Sequence, residues 1–164
     1  MPAPHSAERI RVNVRLIQVM NHSFPVVNWF LSLIYLLLGD HARARAASLT
    51  ALRESNDGAM YLATLGCVLA RAGERDAAHD VVRILERRSS EQYISPLDMC
   101  IAHAGFEDLH ASLLWLEKAV GQRVMRVTEL GMPLFEAFRH EPKFTACVQR
   151  VGLPGRPAAS STSG

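Results

Sequence analysis

The sequence predicts an all-α fold of stacked helix pairs, and three observations support this prediction. First, a 34-residue period relates residues 39–44 (GDHARA) to residues 73–78 (GERDAA), and a further period reaches residues 107–112 (EDLHAS). Second, a mostly apolar stretch precedes each copy and an amphipathic run follows it. Third, each junction carries residues typical of a helix end followed by a helix start. Such a period is typical of repeats that bury their apolar faces against neighbouring repeats.

The period and the local end signals together predict three helix pairs. Apolar residues recur along these segments with the spacing of an amphipathic or buried helix. The predicted pairs are residues 25–38 with 41–54, residues 57–71 with 75–88, and a helix starting at Ser95-Pro96 with residues 108–121.

Small and acidic residues mark the helix ends in the first two pairs. Gly39 and Gly73 can adopt the left-handed conformation that ends a helix, because glycine has no side chain to clash there. Asp40 is the predicted N-cap of the second helix, because its carboxylate can accept a hydrogen bond from a free backbone N–H group. Asn56 or Asp57 is the predicted N-cap at the start of the second pair.

The third pair departs from this pattern at its turn. Ser95 is the predicted N-cap, Pro96 suits the first helical position, and Asp98 favours the positive end of the helix dipole. Glu107 stands where the other copies have glycine, and a positive φ is unfavourable for a residue with a side chain. The alternative is that Gly105 ends the helix earlier.

The chain divides into a degenerate N-terminal helix at residues 1–23, a repeat domain at residues 24–153 and a disordered tail at residues 154–164. Residues 6–20 fit both a helix and a strand pattern, and the 34-residue period favours the helix. Two prolines should open short helices after residue 132, and three phenylalanines should fold these helices onto the last repeat as a cap. They are Phe135, Phe138 and Phe144.

Composition excludes several classes of protein. Lysine and arginine number 18 against 16 aspartate and glutamate residues, a balance that favours neither a nucleic-acid nor a membrane-surface partner. Three dispersed cysteines indicate a reducing compartment rather than a disulfide framework, which predicts a cytoplasmic protein. Residues 24–38 are apolar but short of the ~18–20 residues that a spanning helix needs, so they predict a buried core helix.

Within residues 24–153 the chain resembles the tetratricopeptide repeat family, which has a 34-residue helix–turn–helix unit. Each unit of this family has large apolar residues and a Leu-Gly pair in its first helix, and small residues in its second helix where the helices cross. The second unit matches best, at Leu62, Leu65-Gly66, Leu69, Ala78 and Val82. The first unit matches at Leu31-Ser32, Tyr35, Ala44 and Ala51. The third unit is looser, with Met99-Cys100, His103 and Ser112 at these positions. The resemblance implies a right-handed α-solenoid of about three helix pairs with a C-terminal capping segment.

The same resemblance implies a non-enzymatic protein–protein interaction module, because the first helix of each pair lines a concave groove in this family. The C-terminal part also resembles the closing segment of repeat arrays in bacterial multidomain signalling and regulatory proteins. The expected partner is an apolar or amphipathic helix, or a second copy of the chain; a small free-standing chaperone or adaptor is the alternative. The predicted groove residues are Val26, Trp29, Leu33, Leu36, Met60, Ala63, Cys67, Leu97 and Ile101. The alternative is that Trp29, Phe30 and the leucines that follow are core residues beneath the N-terminal segment.

Catalytic and metal-binding patterns are weak. Cys100 and His103 lie three residues apart on one helix, the spacing of a nucleophile and base, which makes a hydrolase a further alternative. No residue pattern suggests a third group to orient the histidine. The histidines show neither HxxxH nor HExxH spacing, so we expect no metal and no cofactor.

Overall fold

The computed structural model describes residues 24–124, 130 and 132–152, and every regular element in these ranges is a helix. The all-α prediction is therefore confirmed for this part of the chain. The predictions for residues 6–20 and 154–164 lie outside the described residues. The elements are α1 (Pro25–Leu37), α2 (His41–Glu54), α3 (Ala59–Arg71), α4 (Arg75–Ser89), α5 (Pro96–Ala104), α6 (Leu109–Gly121), a 3₁₀ helix (Pro133–Phe138) and α7 (Pro142–Val151).

The 34-residue period is visible in the backbone. The second helix of each pair begins 34 residues after the previous one, at His41, Arg75 and Leu109. Asp40 and Asp108 cap two of these helices, and each carboxylate accepts a hydrogen bond of 3.0 Å from the backbone N–H three residues later. Regular spacing of residues thus produces regular spacing of helix starts.

The turns inside the pairs also repeat their conformation. Gly39, Gly73 and Glu107 have φ angles of 73°, 86° and 58°, so all three are left-handed. Glu107 therefore adopts the conformation that glycine takes in the other two turns, although this is unfavourable for a residue with a side chain. Helix α5 ends before it, at Ala104, with Gly105 as a right-handed C-cap. The backbone conformation is thus repeated where the residue type is not.

The predicted N-cap of the second pair is wrong. Helix α3 begins at Ala59 with Gly58 as its N-cap, and no side chain caps it. Asn56 and Asp57 are both left-handed instead, with φ angles of 54° and 60°, a conformation that Asn and Asp tolerate better than most residues. They form the turn that connects the two pairs, and Ser55 Oγ accepts a hydrogen bond of 3.2 Å from the Gly58 N–H.

Small residues lie where the helices of each pair cross. The crossing positions of the second helices are 34 residues apart and fully buried, at Ala44, Ala78 and Ser112. The full burial of Ala44 and Ala78 agrees with the predicted close crossings at these residues. Gly66 of α3 faces Val81 of α4, and a Cβ atom at Gly66 would lie 2.8 Å from Val81 Cγ1. The backbones can approach because little side-chain volume separates them.

The second and third pairs are joined by an even closer contact. Helix α3 packs against α5, and a Cβ atom at Gly105 would lie 2.5 Å from Cys67 Cα and 2.7 Å from its carbonyl oxygen. Only a glycine fits this position without a shift of the backbone. Gly105 therefore allows the backbones of the two pairs to approach closely, in addition to ending α5.

Three aromatic rings close the core at its C-terminal end. Phe135, Phe138 and Phe144 are buried, with ring centroids 5.9–6.1 Å apart, and they belong to the same apolar core as the second and third pairs. Helix α7 packs against α6. This packing agrees with the capping segment that the sequence predicts.

Candidate functional site: an apolar cleft beside the first helix

Helix α1 exposes an unusual amount of apolar surface. Its 13 residues, PVVNWFLSLIYLL, include no charged side chain. Phe24, which precedes it, and Val26, Phe30 and Leu37 are 54%, 43%, 49% and 49% exposed. Val26, Phe30, Leu33 and Leu37 follow one another at intervals of four, three and four residues, so they share one helix face. We call these four residues the α1 strip.

A cleft of about 170 Å³ adjoins the C-terminal half of this strip. It lies between α1 and the segment that forms the start of the 3₁₀ helix, and all its lining residues are apolar. They are Phe30, Leu33, Ile34, Leu36, Leu37, Met132 and Leu134. An apolar cavity of about 150 Å³ can hold a group the size of benzene, so this cleft has room for one large apolar side chain.

A buried hydrogen bond fixes the orientation of α1. Trp29 Nε1 donates to Thr64 Oγ1 of α3 at 2.8 Å, and both side chains are buried. The Thr64 hydroxyl donates in turn to the Met60 carbonyl oxygen at 3.0 Å. Because the indole is held on the inner side of α1, Val26 and Phe30 are left on the outer side. The link to α3 therefore orients α1 so that Val26 and Phe30 are exposed, whereas Leu33, which is 8% exposed, is buried in the same apolar cluster as Trp29.

The nine predicted groove residues do not form one surface. Val26 is exposed on the α1 strip, Leu33 and Leu36 line the cleft, and Trp29 and Met60 pack in the layer beneath it. The other four predicted residues are sealed in the core, with exposures of 0–1%: Ala63, Cys67, Leu97 and Ile101.

The groove prediction is therefore corrected for the second and third pairs. Helix α3 contacts α2, α4 and α5, and its close approach to α5 at Gly105 leaves no open face between these helices. Sequence reasoning missed five cleft residues. Phe30 and Leu37 could have been found from their spacing with Val26 and Leu33, but Met132 and Leu134 carry no sequence signal that places them beside α1.

The Cys100–His103 pair lacks an activated thiol. Cys100 is 1% exposed, and burial raises its pKa well above the usual range for a thiol, with Cys147 and Cys67 adding to the effect. Burial also lowers the pKa of His103, although the carboxylates of Asp108 and Glu86 oppose the shift. A cysteine nucleophile needs the thiolate form, which this environment disfavours.

A second depression, of about 290 Å³, lies between α1 and α2 and is partly polar. Its polar groups already have partners. Asn28 Nδ2 donates to Glu54 Oε2 at 2.9 Å, Arg43 pairs with Asp40 at 3.5 Å, and the Arg43 guanidinium lies 5.7 Å from the centre of the Tyr35 ring. It is less suited to a ligand than the apolar cleft.

Two features are absent from the described part of the chain. None of its helices has the length and apolar character needed to cross a membrane. No cluster of three or more His, Cys, Asp or Glu side chains with metal-binding geometry occurs among residues 24–124, 130 and 132–152. Comparison with known proteins gave no matching family model, no matching curated protein and no matching solved structure.

Proposed function

We propose that this chain is a cytoplasmic, non-enzymatic protein–protein interaction module of the tetratricopeptide type, with its helix pairs stacked as a right-handed solenoid. The partner is an apolar or amphipathic helix that binds the α1 strip and inserts one large side chain into the cleft. The observation that carries this proposal is the cleft itself, because it joins an exposed, uncharged helix face to a cavity of about 170 Å³.

The energetics favour binding along the strip rather than at a single point. Burying one large apolar side chain completely contributes about 1.5–3 kcal/mol, and those of Val26, Phe30 and Leu37 are already half-buried. Association costs roughly 4–15 kcal/mol in lost freedom, so several contacts must act together. An anchoring side chain in a desolvated pocket, surrounded by weaker contacts, is the usual arrangement of a binding hot spot.

A small chaperone or adaptor that shields an apolar client segment is the second candidate. Met132 in the cleft wall favours it, because methionine side chains adapt to partners of different shape. A chaperone should bind many unrelated apolar peptides with similar affinity, whereas a dedicated module should prefer one spacing of apolar residues.

The test is a peptide-binding titration by fluorescence anisotropy. One helical peptide carries leucines at intervals of four, three and four residues, and a control peptide has the same composition in scrambled order. Leu37→Glu should weaken binding of the first peptide about tenfold or more, because it places a charge in an apolar contact. The matched control is Leu114→Glu on α6, since Leu114 is also 49% exposed.

Salt provides an independent check. Binding that depends on apolar burial should change little between low and high salt, because few charges cross the contact. Equal losses with Leu37→Glu and Leu114→Glu, or binding that collapses with salt, would reject the cleft and place the interaction on the charged faces of α2 and α4.

A further inference from the structure

We infer that the occupant of the α1 cleft is α1 of a second copy of this chain, in an antiparallel arrangement with two-fold symmetry. This inference rests on the proposed function, because it names the helix that binds the strip. It follows from three properties of α1: the spacing of the residues in the α1 strip, the different shapes of its two ends, and its lack of charge.

The spacing of the α1 strip is self-complementary. Intervals of four, three and four residues are those of the apolar seam between two helices packed side by side. If two copies of α1 run antiparallel, Val26 of one copy lies opposite Leu37 of the other. Phe30 of one copy then faces the cleft of the other, where the 8% of Leu33 that is exposed forms part of the wall. A two-fold axis between residues 31 and 32 relates these contacts, so every contact is made twice.

The two ends of α1 have complementary shapes. Phe24 and Val26 at the N-terminal end project into solvent, whereas Leu33, Leu36 and Leu37 at the C-terminal end border the cleft. An antiparallel arrangement places the projecting end of each copy against the cleft of the other. A parallel arrangement would instead place the two projecting ends together and leave both clefts empty.

Electrostatics favours the same arrangement. No charged side chain lies on α1, so pairing two copies along this helix would remove none of its side-chain charges from water. Antiparallel helices also place the positive end of each dipole beside the negative end of the other. The exposed face of α2 instead carries Arg43 and Arg45 in ion pairs with Asp40 and Glu74, and a contact through that face would remove these charges from water.

Cysteine cross-linking tests the arrangement directly. The native cysteines are all buried, so a cysteine introduced on the surface should react without much background. Chains with Val26→Cys and chains with Leu37→Cys are mixed in equal amounts and oxidised gently. The mixture should form a disulfide-linked dimer about tenfold faster than either variant alone, because residues 26 and 37 face each other only across the antiparallel seam.

Leu114→Cys is the matched control, because Leu114 is as exposed as Leu37 but lies on α6. Cross-linking of the mixture at the rate of this control would overturn the inference. Faster cross-linking of Val26→Cys with itself would indicate parallel helices and would also overturn it.

Light scattering measures the mass of the full chain at concentrations up to about 100 µM, a range that detects dimers with micromolar Kd. The wild type and Leu114→Glu should be dimers, and Phe30→Glu should be a monomer whose helix content, measured by circular dichroism, is unchanged. A dimer that survives Phe30→Glu would place the contact elsewhere and overturn the inference. A monomeric wild type that still binds the helical peptide through Leu37 would overturn it too, while the proposed function would stand.

Discussion

Helices α1 and α3 occupy the same phase of the repeat but have different surroundings. Their bounds are 34 residues apart at both ends, Pro25–Leu37 against Ala59–Arg71. All nine residues from Leu62 to Ala70 are buried in α3, whereas α1 exposes Val26, Phe30 and Leu37. Helix α3 packs against α2, α4 and α5, and α1 packs mainly against α2. The period therefore determines where a helix lies, and the neighbours determine which of its faces are free.

The contrast extends to how each helix contacts its surroundings. Helix α3 relies on close backbone approach, with Gly66 against Val81 of α4 and Cys67 against Gly105 of α5. Helix α1 is joined to α3 by the indole of Trp29 and its hydrogen bond to Thr64. Close backbone approach buries α3 against both α4 and α5. The Trp29 side chain contacts α3 from one side of α1 and leaves the other side of α1 exposed.

The contact between α3 and α5 should be the least tolerant of added volume. Gly105→Ala would place its Cβ atom 2.5 Å from Cys67 Cα, and the obstacle is backbone rather than a movable side chain. We expect a loss of about 3 kcal/mol or more in the free energy of unfolding, measured by denaturant titration. Gly121→Ala is the control, because no atom lies within 4 Å of its Cβ position and alanine favours the helix. If both variants were equally stable, the close approach of α3 and α5 would be disproved.

Gly66 and Ser32 occupy the same phase in the two helices and should respond differently to alanine. Gly66→Ala would place a Cβ atom 2.8 Å from Val81 Cγ1, which should cost about 1–3 kcal/mol. Ser32→Ala removes only the hydrogen bond from the Ser32 hydroxyl to the Trp29 carbonyl, which should cost about 0.5–1.5 kcal/mol. Val81→Ala should recover much of the first loss and none of the second. A larger effect at Ser32 than at Gly66 would contradict the contrast between the helices.

The link between α1 and α3 should appear as a coupling energy. A double-mutant cycle with Trp29→Phe and Thr64→Val isolates the bond between the indole and the hydroxyl from the packing of the two side chains. We expect a coupling of about 1 kcal/mol in the free energy of unfolding, because the bond is buried and both groups lose their partner. A coupling near zero would mean that this bond does not hold α1 in place.

The third pair should contribute a small dependence of stability on pH. Burial lowers the pKa of His103 below its usual 6.5, against the opposing charges of Asp108 and Glu86. The unfolded chain then binds more protons than the folded chain as the pH falls through 6.5 towards the lowered pKa. The free energy of unfolding should therefore be highest above pH 6.5 and decrease as the solution is acidified. His103→Gln should flatten this decrease, and an unchanged decrease in this variant would contradict the assignment to His103.

Much of the secondary structure follows from local signals that repeat. Asp40 and the 34-residue period place the start of α2 at residue 41, and the same period places the start of α4 at residue 75. The prolines at positions 96 and 142 mark the first residues of α5 and α7. These signals are readable because helix capping and the fixed φ of proline act within one turn of the chain.

The free surface was harder to predict because it depends on distant residues. Cys67 was expected in an open groove, but the backbone of Gly105 lies against it, 38 positions later in the chain. The cleft requires Met132 and Leu134 to lie beside α1, and no periodic signal relates these residues to it. For Trp29 the sequence left a groove position and a core position open, and the structure buries its indole, which donates a hydrogen bond to the Thr64 hydroxyl of α3. Local patterns specify helices, whereas a binding site depends on which faces remain uncovered after packing.

The sealed run from Leu62 to Ala70 has a consequence for how the molecule opens. Each helix pair contacts the next pair along the chain, so we expect local unfolding to begin at the ends and to reach the middle last. The backbone amides of Leu65 and Val68 should therefore exchange with deuterium only when most of the described fold has opened. Those of α1 should exchange earlier, through local opening, and their slowing at high protein concentration would report directly on the pairing of two copies.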